Sequence, residues 1–96
     1  MFYDELNSKT IRLYGHDRLK DSDDLIDTVK TYIAGIHIFY TNPQTGSRPN
    51  ASEHGSTMVI ACVLELGTSV LLIAKKIDKM YQSRISGGAF SGWEEV

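Results

Sequence analysis

One cysteine, two prolines and three histidines among 96 residues leave little material for the commonest site chemistries. Cys62 cannot close an internal disulfide. Inside an apolar run it reads as a small buried hydrophobe, suited to a reducing compartment. His16, His37 and His54 lack the spacing of a metal site, and a single cysteine makes no zinc motif, so no metal is expected. His37, inside an apolar pattern, reads as a satisfied core or interface histidine, and His54 as a solvated loop residue. Neither sign of charge dominates: the net charge is −2 and the pI about 5.8, which gives no electrostatic footprint for duplex nucleic acid. There is no P-loop, Rossmann fingerprint or G-x-S-x-G elbow, and no cofactor is expected. The glycine-rich "SGGAFSG" (Ser86 to Gly92) opens no helix, which argues against a phosphate loop. No catalytic constellation can be assembled, so the reading is a non-enzyme.

"MFYDELNSKT" at the start carries acidic residues where a signal peptide needs positive charge before an apolar run, so the expected compartment is the cytoplasm. Without repeats or low-complexity tracts, the length indicates a single domain, near the size where oligomerisation often supplies missing burial. Asn50-Ala51-Ser52 fits a glycosylation sequon, but nothing directs the chain to a secretory route.

What is present is a segment apolar on nearly every side: "STMVIACVLELGTSVLLIAKKI" (Ser56 to Ile77), whose stretch from Met58 to Ala74 holds a single charged residue, Glu65. The chain divides around it into an arm (1–20), a helix (21–41), a loop (42–56), a second helix (57–82) and a tail (83–96). Within the arm, Ile11 and Leu13 alternate with polar neighbours, as in a short strand. In the first helix Asp21 or Ser22 can act as cap, and Leu25, Ile26, Val29, Ile33, Ile36 and Tyr40 recur at helical spacing. "IHIFY" within it is β-branched and aromatic enough to be a strand instead. The loop holds both prolines. Ile85, Phe90 and Trp93 give the tail apolar anchors.

Three accounts of the apolar segment compete. A membrane span is at the short limit of length and would place Glu65 near the bilayer centre, at about 2.5–3.5 kcal/mol, so membrane insertion is disfavoured. A monomer core would need enough chain to wrap a helix that is apolar all round, and the rest of the chain is too short for that. The remaining account is mainly α: an antiparallel helical hairpin with a short N-terminal arm or strand, assembled into a homo-oligomer through its second helix. Gly67 beside Thr68 and Ser69 would let helices approach closely. Glu65 would lie on an exposed stripe, or pair with a lysine or arginine of a neighbouring subunit and fix register.

The arm also carries "RLYGHDRLK" (Arg12 to Lys20), where Tyr14 or His16 could stack on a ligand and Arg18 or Lys20 could meet phosphate. "GHDRLKDSDDLIDTVKT" (Gly15 to Thr31) resembles the start of the phage cyclic-nucleotide sponges, which block cyclic-oligonucleotide antiphage signalling; Gly15, His16, Leu19 and Lys30 carry the likeness. The second predicted helix is similar to that family's long helix at Leu64, Glu65, Gly67, Leu71 and Ala74, which would form the oligomer interface. The resemblance implies a homo-oligomer, hexameric in that family, that sequesters a cyclic di- or trinucleotide without cleaving it, in the host cytoplasm if phage-encoded. It implies a base stacked on His16 or Tyr14, phosphate met by Lys30 and Arg18, and a ligand hydrogen bond from Thr31. The alternative is a small homo-oligomeric phage or bacterial adaptor or inhibitor acting through protein–protein contacts, with Phe90, Trp93 and the acidic end as its contact.

Overall fold

The computed structural model describes residues 11–49 and 55–96. It overturns the helical hairpin. Among the described residues there is one short helix, α1 (Leu25–Val29), and a sheet of seven strands. These strands are β1 (Leu13–Gly15), β2 (Gly35–Tyr40), β3 (Met58–Glu65), β4 (Ser69–Lys76), β5 (Lys79–Ser86), β6 (Ala89–Phe90) and β7 (Glu94–Glu95). They run in the spatial order β1-β2-β3-β4-β5-β6, with β7 also pairing β5. Only β1 and β2 pair in parallel, across the crossover that contains α1; the other pairs are antiparallel.

The predicted second helix (57–82) is a hairpin, β3 and β4, followed by the first half of β5. Val59, Ile60, Val63, Val70 and Ile73 are β-branched and fit a pleated surface better than a helix. The break falls at Gly67, whose φ of +75° suits a turn residue without a side chain. There Thr68 N donates to Glu65 O at 3.2 Å and Thr68 Oγ1 to Glu65 Oε1 at 2.7 Å. Gly67 therefore turns a hairpin rather than allowing a close helix crossing. A two-residue tip at Ile77 and Asp78 then leads from β4 into β5.

The predicted first helix (21–41) survives only at Leu25–Val29, where Asp24 caps it by accepting from Asp27 N. Beyond Tyr32, "GIHIFY" is strand β2. Gly35 has φ +142° and sits against β1: a Cβ there would meet Arg12 O and a Tyr14 ring carbon, each at 2.8 Å. That close approach is what lets β1 lie beside β2. The predicted tail (83–96) begins within β5 and returns along its edge as β6 and β7. Gly87 and Gly88, at φ +59° and +83°, make the tight turn that two successive positive φ values require. The tail's anchor is internal: Trp93 Nε1 donates to Ser47 O at 2.7 Å, and Phe90 and Trp93 pack against the core.

One face of the sheet is covered. Leu19, Leu25, Ile26 and Val29 lie on it and pack with Phe39, Val59, Ala61, Val63, Val70, Leu72, Ala74, Tyr81 and Ile85. The segment after β2 joins this cover, since Leu25 N donates to Gly46 O and Gly46 N to Asp23 O, both at 2.9 Å. His54 and the sequon at 50–52 lie outside the described residues, as does the start of the predicted arm. No helix among the described residues is long and apolar enough to cross a membrane.

Candidate functional site

The opposite, outer face of the sheet has nothing from the described residues laid over its centre. Strand register sets its composition row by row, because directly opposed residues share a face. One row reads Leu13, Ile36, Cys62, Leu71, Arg84, and the next reads Ile38, Ile60, Ile73, Gln82. A third reads Tyr40, Met58, Lys75, Met80. The middle rows of the face are thus apolar from β1 to β4, with Lys75 and Glu65 at the two ends of the β3–β4 hairpin, and they turn polar at β5 and β7, where Gln82 opposes Glu94. Leu71 is 52% exposed and Ile73 43%, large values for aliphatic residues in the middle of a sheet. An open groove of about 680 Å³ lies at the β4–β5 end, lined by Leu71, Ile73, Gln82 and Arg84 of this face but also by Leu72, Ser83 and the tail residues Trp93 and Glu94.

The five residues predicted for an oligomer interface separate. Leu71 and Glu65 lie on the outer face, Glu65 opposite Ser69 at its far end from Lys75. Leu64 is exposed at the bulge between Val63 and Glu65, Gly67 is in the turn, and Ala74 is fully buried in the core. Cys62 is half-buried on the outer face and unpaired, not the core residue its apolar neighbours suggest.

A second cluster lies where β1 folds over the edge of β2 on the covered side. His37 is 2% exposed and paired at both ring nitrogens: Nε2 lies 2.7 Å from Ile33 O, and Nδ1 2.7 Å from His16 Nε2. A carbonyl can only accept, so His37 Nε2 carries the hydrogen. In the neutral ring its Nδ1 then accepts from His16 Nε2–H, which leaves His16 Nδ1 as the basic position. Tyr32 stacks on both imidazoles, at 4.2 Å from His16 and 4.4 Å from His37, and Tyr14 stacks on His37 at 4.8 Å. Burial, then the neighbouring His37, lower the pKa of His16 below its usual 6.5, against a smaller upward pull from Asp17. Burial, then Asp23, raise that of Tyr32.

Of the predicted ligand residues, the structure unites Tyr14 and His16 in this stack. The cations go elsewhere. Arg18 Nη1 donates to Thr41 O at 2.9 Å and to Ser56 Oγ at 2.7 Å, with its guanidinium over the Tyr40 ring at 5.3 Å. Lys30 is the C-cap of α1, and Thr31 Oγ1 donates to Thr28 O at 2.6 Å. Tyr32 and the pairing of His37 with His16 were beyond sequence reasoning, because a residue-to-residue stack across a parallel strand pair leaves no local pattern. No group of three or more histidine, cysteine, aspartate or glutamate side chains among the described residues is placed to hold a metal ion. Comparison with known protein families, curated proteins and solved structures finds no match to this chain.

Proposed function

We propose that this chain is a non-catalytic protein-binding module whose working surface is the outer face of its sheet. The observation that carries the reading is the row pattern. An antiparallel sheet that meets water on one side ordinarily alternates apolar and polar residues. Here Ile36, Ile38, Ile60, Leu71 and Ile73 fill the positions that should be polar. A contiguous apolar surface of this kind marks an interaction site. A reducing, cytoplasmic setting suits a face that carries the unpaired thiol of Cys62.

Cyclic-nucleotide sequestration draws less support from the geometry. The stacking pair Tyr14 and His16 is engaged with His37 and Tyr32, and Arg18 with Thr41 and Ser56. The predicted helix on which half of the resemblance rested is a strand hairpin.

The test is the rate at which a thiol reagent modifies Cys62 in folded, highly diluted protein. Modification approaching that of the unfolded chain is expected for an open face. Strong protection that persists at every dilution would mean that the chain covers the face itself, and would remove the proposed surface.

A further inference from the structure

We infer that the partner of the outer face is a second copy of this chain, packed sheet on sheet about a two-fold axis running across the strands. The inference rests on the reading of that face as a binding surface and adds the occupant and its orientation.

Size is the first argument. Strands β3, β4 and β5 have eight residues each and β2 has six. With about 3.3 Å per residue and about 4.8 Å between strands, a face of five to six strands spans roughly 25 by 25 Å, or about 600 Å² in projection. Side-chain relief raises the accessible area above the projection. A stable interface of standard size takes about 800 Å² from each partner, and obligate homodimers use the more apolar surfaces. One copy of the face therefore matches the area that a second copy would cover. Sheets also pack on sheets with their strands nearly aligned, about 10 Å apart.

Charge fixes the orientation. The outer face carries Lys75 at one end of the β3–β4 hairpin, opposite Met58, and Glu65 at the other end, opposite Ser69. An axis across the strands reverses strand direction between the copies. Lys75 of each copy then lies over the Glu65 end of the other, and the pairing occurs twice, as a self-complementary interface requires. An axis along the strands would instead set Lys75 near Lys75 and Glu65 near Glu65, which like-charge repulsion opposes. The Glu65 carboxylate is already oriented by Thr68 Oγ1 at 2.7 Å. Arg84 and Glu94 remain at the polar margin, on the β5 and β7 side.

The experiment is sedimentation with light scattering on the full chain over a wide concentration range, run beside Cys62 labelling. The expected result is a species of about twice the 10.7 kDa chain mass, with Cys62 protected and released on dilution. Lys75→Glu and Glu65→Lys should each raise the dissociation constant about ten- to a hundredfold, and the double reversal should restore much of it. Both positions are exposed, so these variants disturb the fold less than a charge at Leu71, in the middle of the sheet, would. A monomer with rapidly labelled Cys62 overturns the second copy but leaves the binding face. A monomer with protected Cys62 overturns both. A dimer indifferent to the charge reversals overturns the proposed packing.

Discussion

Ile77 stands at the β4–β5 tip with φ +57°, a left-handed conformation that a β-branched side chain adopts at a cost of about 1–3 kcal/mol. It is 75% exposed, so no packing offsets that cost. Replacing it with glycine or asparagine is expected to raise stability by about 1 kcal/mol, read as a higher midpoint of thermal or denaturant unfolding. Gly35 is the reverse case. Its alanine variant adds a Cβ at 2.8 Å from Arg12 O and from the Tyr14 ring, in a positive-φ conformation. The expected loss is about 1–3 kcal/mol, accompanied by loosening of β1. A midpoint unchanged in denaturant would show that β1 does not pack on Gly35. His16 sets a pH dependence. Its folded-state pKa lies below the usual 6.5, so as pH falls below about 6.5 the unfolded chain takes up the proton first. Stability attributable to His16 is therefore level above that pH and declines beneath it, until the folded protein also protonates. His16→Gln should flatten this part of the stability profile between neutral pH and about 5, where carboxylates still contribute little. Equal slopes for the two proteins would refute the assignment.

At the scale of elements, the hairpin of β3 and β4 shows how much of this fold was legible in the sequence. Strand periodicity is present, since Val59, Ala61 and Val63 point into the core while Met58, Ile60 and Cys62 point out. It is hidden in the hydropathy because the outward positions are apolar too, and a run apolar on both faces gives no period to detect. The β-branched residues and Gly67 were the available signals for a broken strand. "IHIFY" did display its strand character, whereas the helix cap is Asp24 rather than Asp21 or Ser22, because the helix starts later, at Leu25. The stack of Tyr14, His16, Tyr32 and His37 was half visible, through Tyr14 and His16, because Tyr32 arrives from the crossover and His37 from β2. The tail aromatics were legible as anchors, but not their target, Ser47 and the core. Trp93→Phe should lose the indole hydrogen bond and cost about 1 kcal/mol, and Trp93→Ala about 2–4 kcal/mol through lost packing. Denaturant titration separates them, and equal effects would mean that the indole contributes by its hydrogen bond alone.

For the whole molecule, the proposed partner rests on a different surface once the helical hairpin is replaced by a sheet. A helix apolar all round would have needed covering on every side. The sheet is covered on one side by α1 and its neighbouring loops, and its other side is apolar in the middle rows from β1 to β4, between Lys75 and Glu65 at the hairpin ends. The proposed interaction surface and the core thus draw on one hairpin, with alternate residues facing each way. This makes the two separable by substitution: outer-face changes should alter association while leaving the core residues Val59, Ala61, Val70 and Leu72 packed as before. The most direct measurement of the central claim is the labelling rate of Cys62 followed through serial dilution. The account predicts slow modification in concentrated protein and fast modification once dilute, with the transition moved to higher concentration by Lys75→Glu. A rate that is the same at every dilution and untouched by that substitution would contradict it.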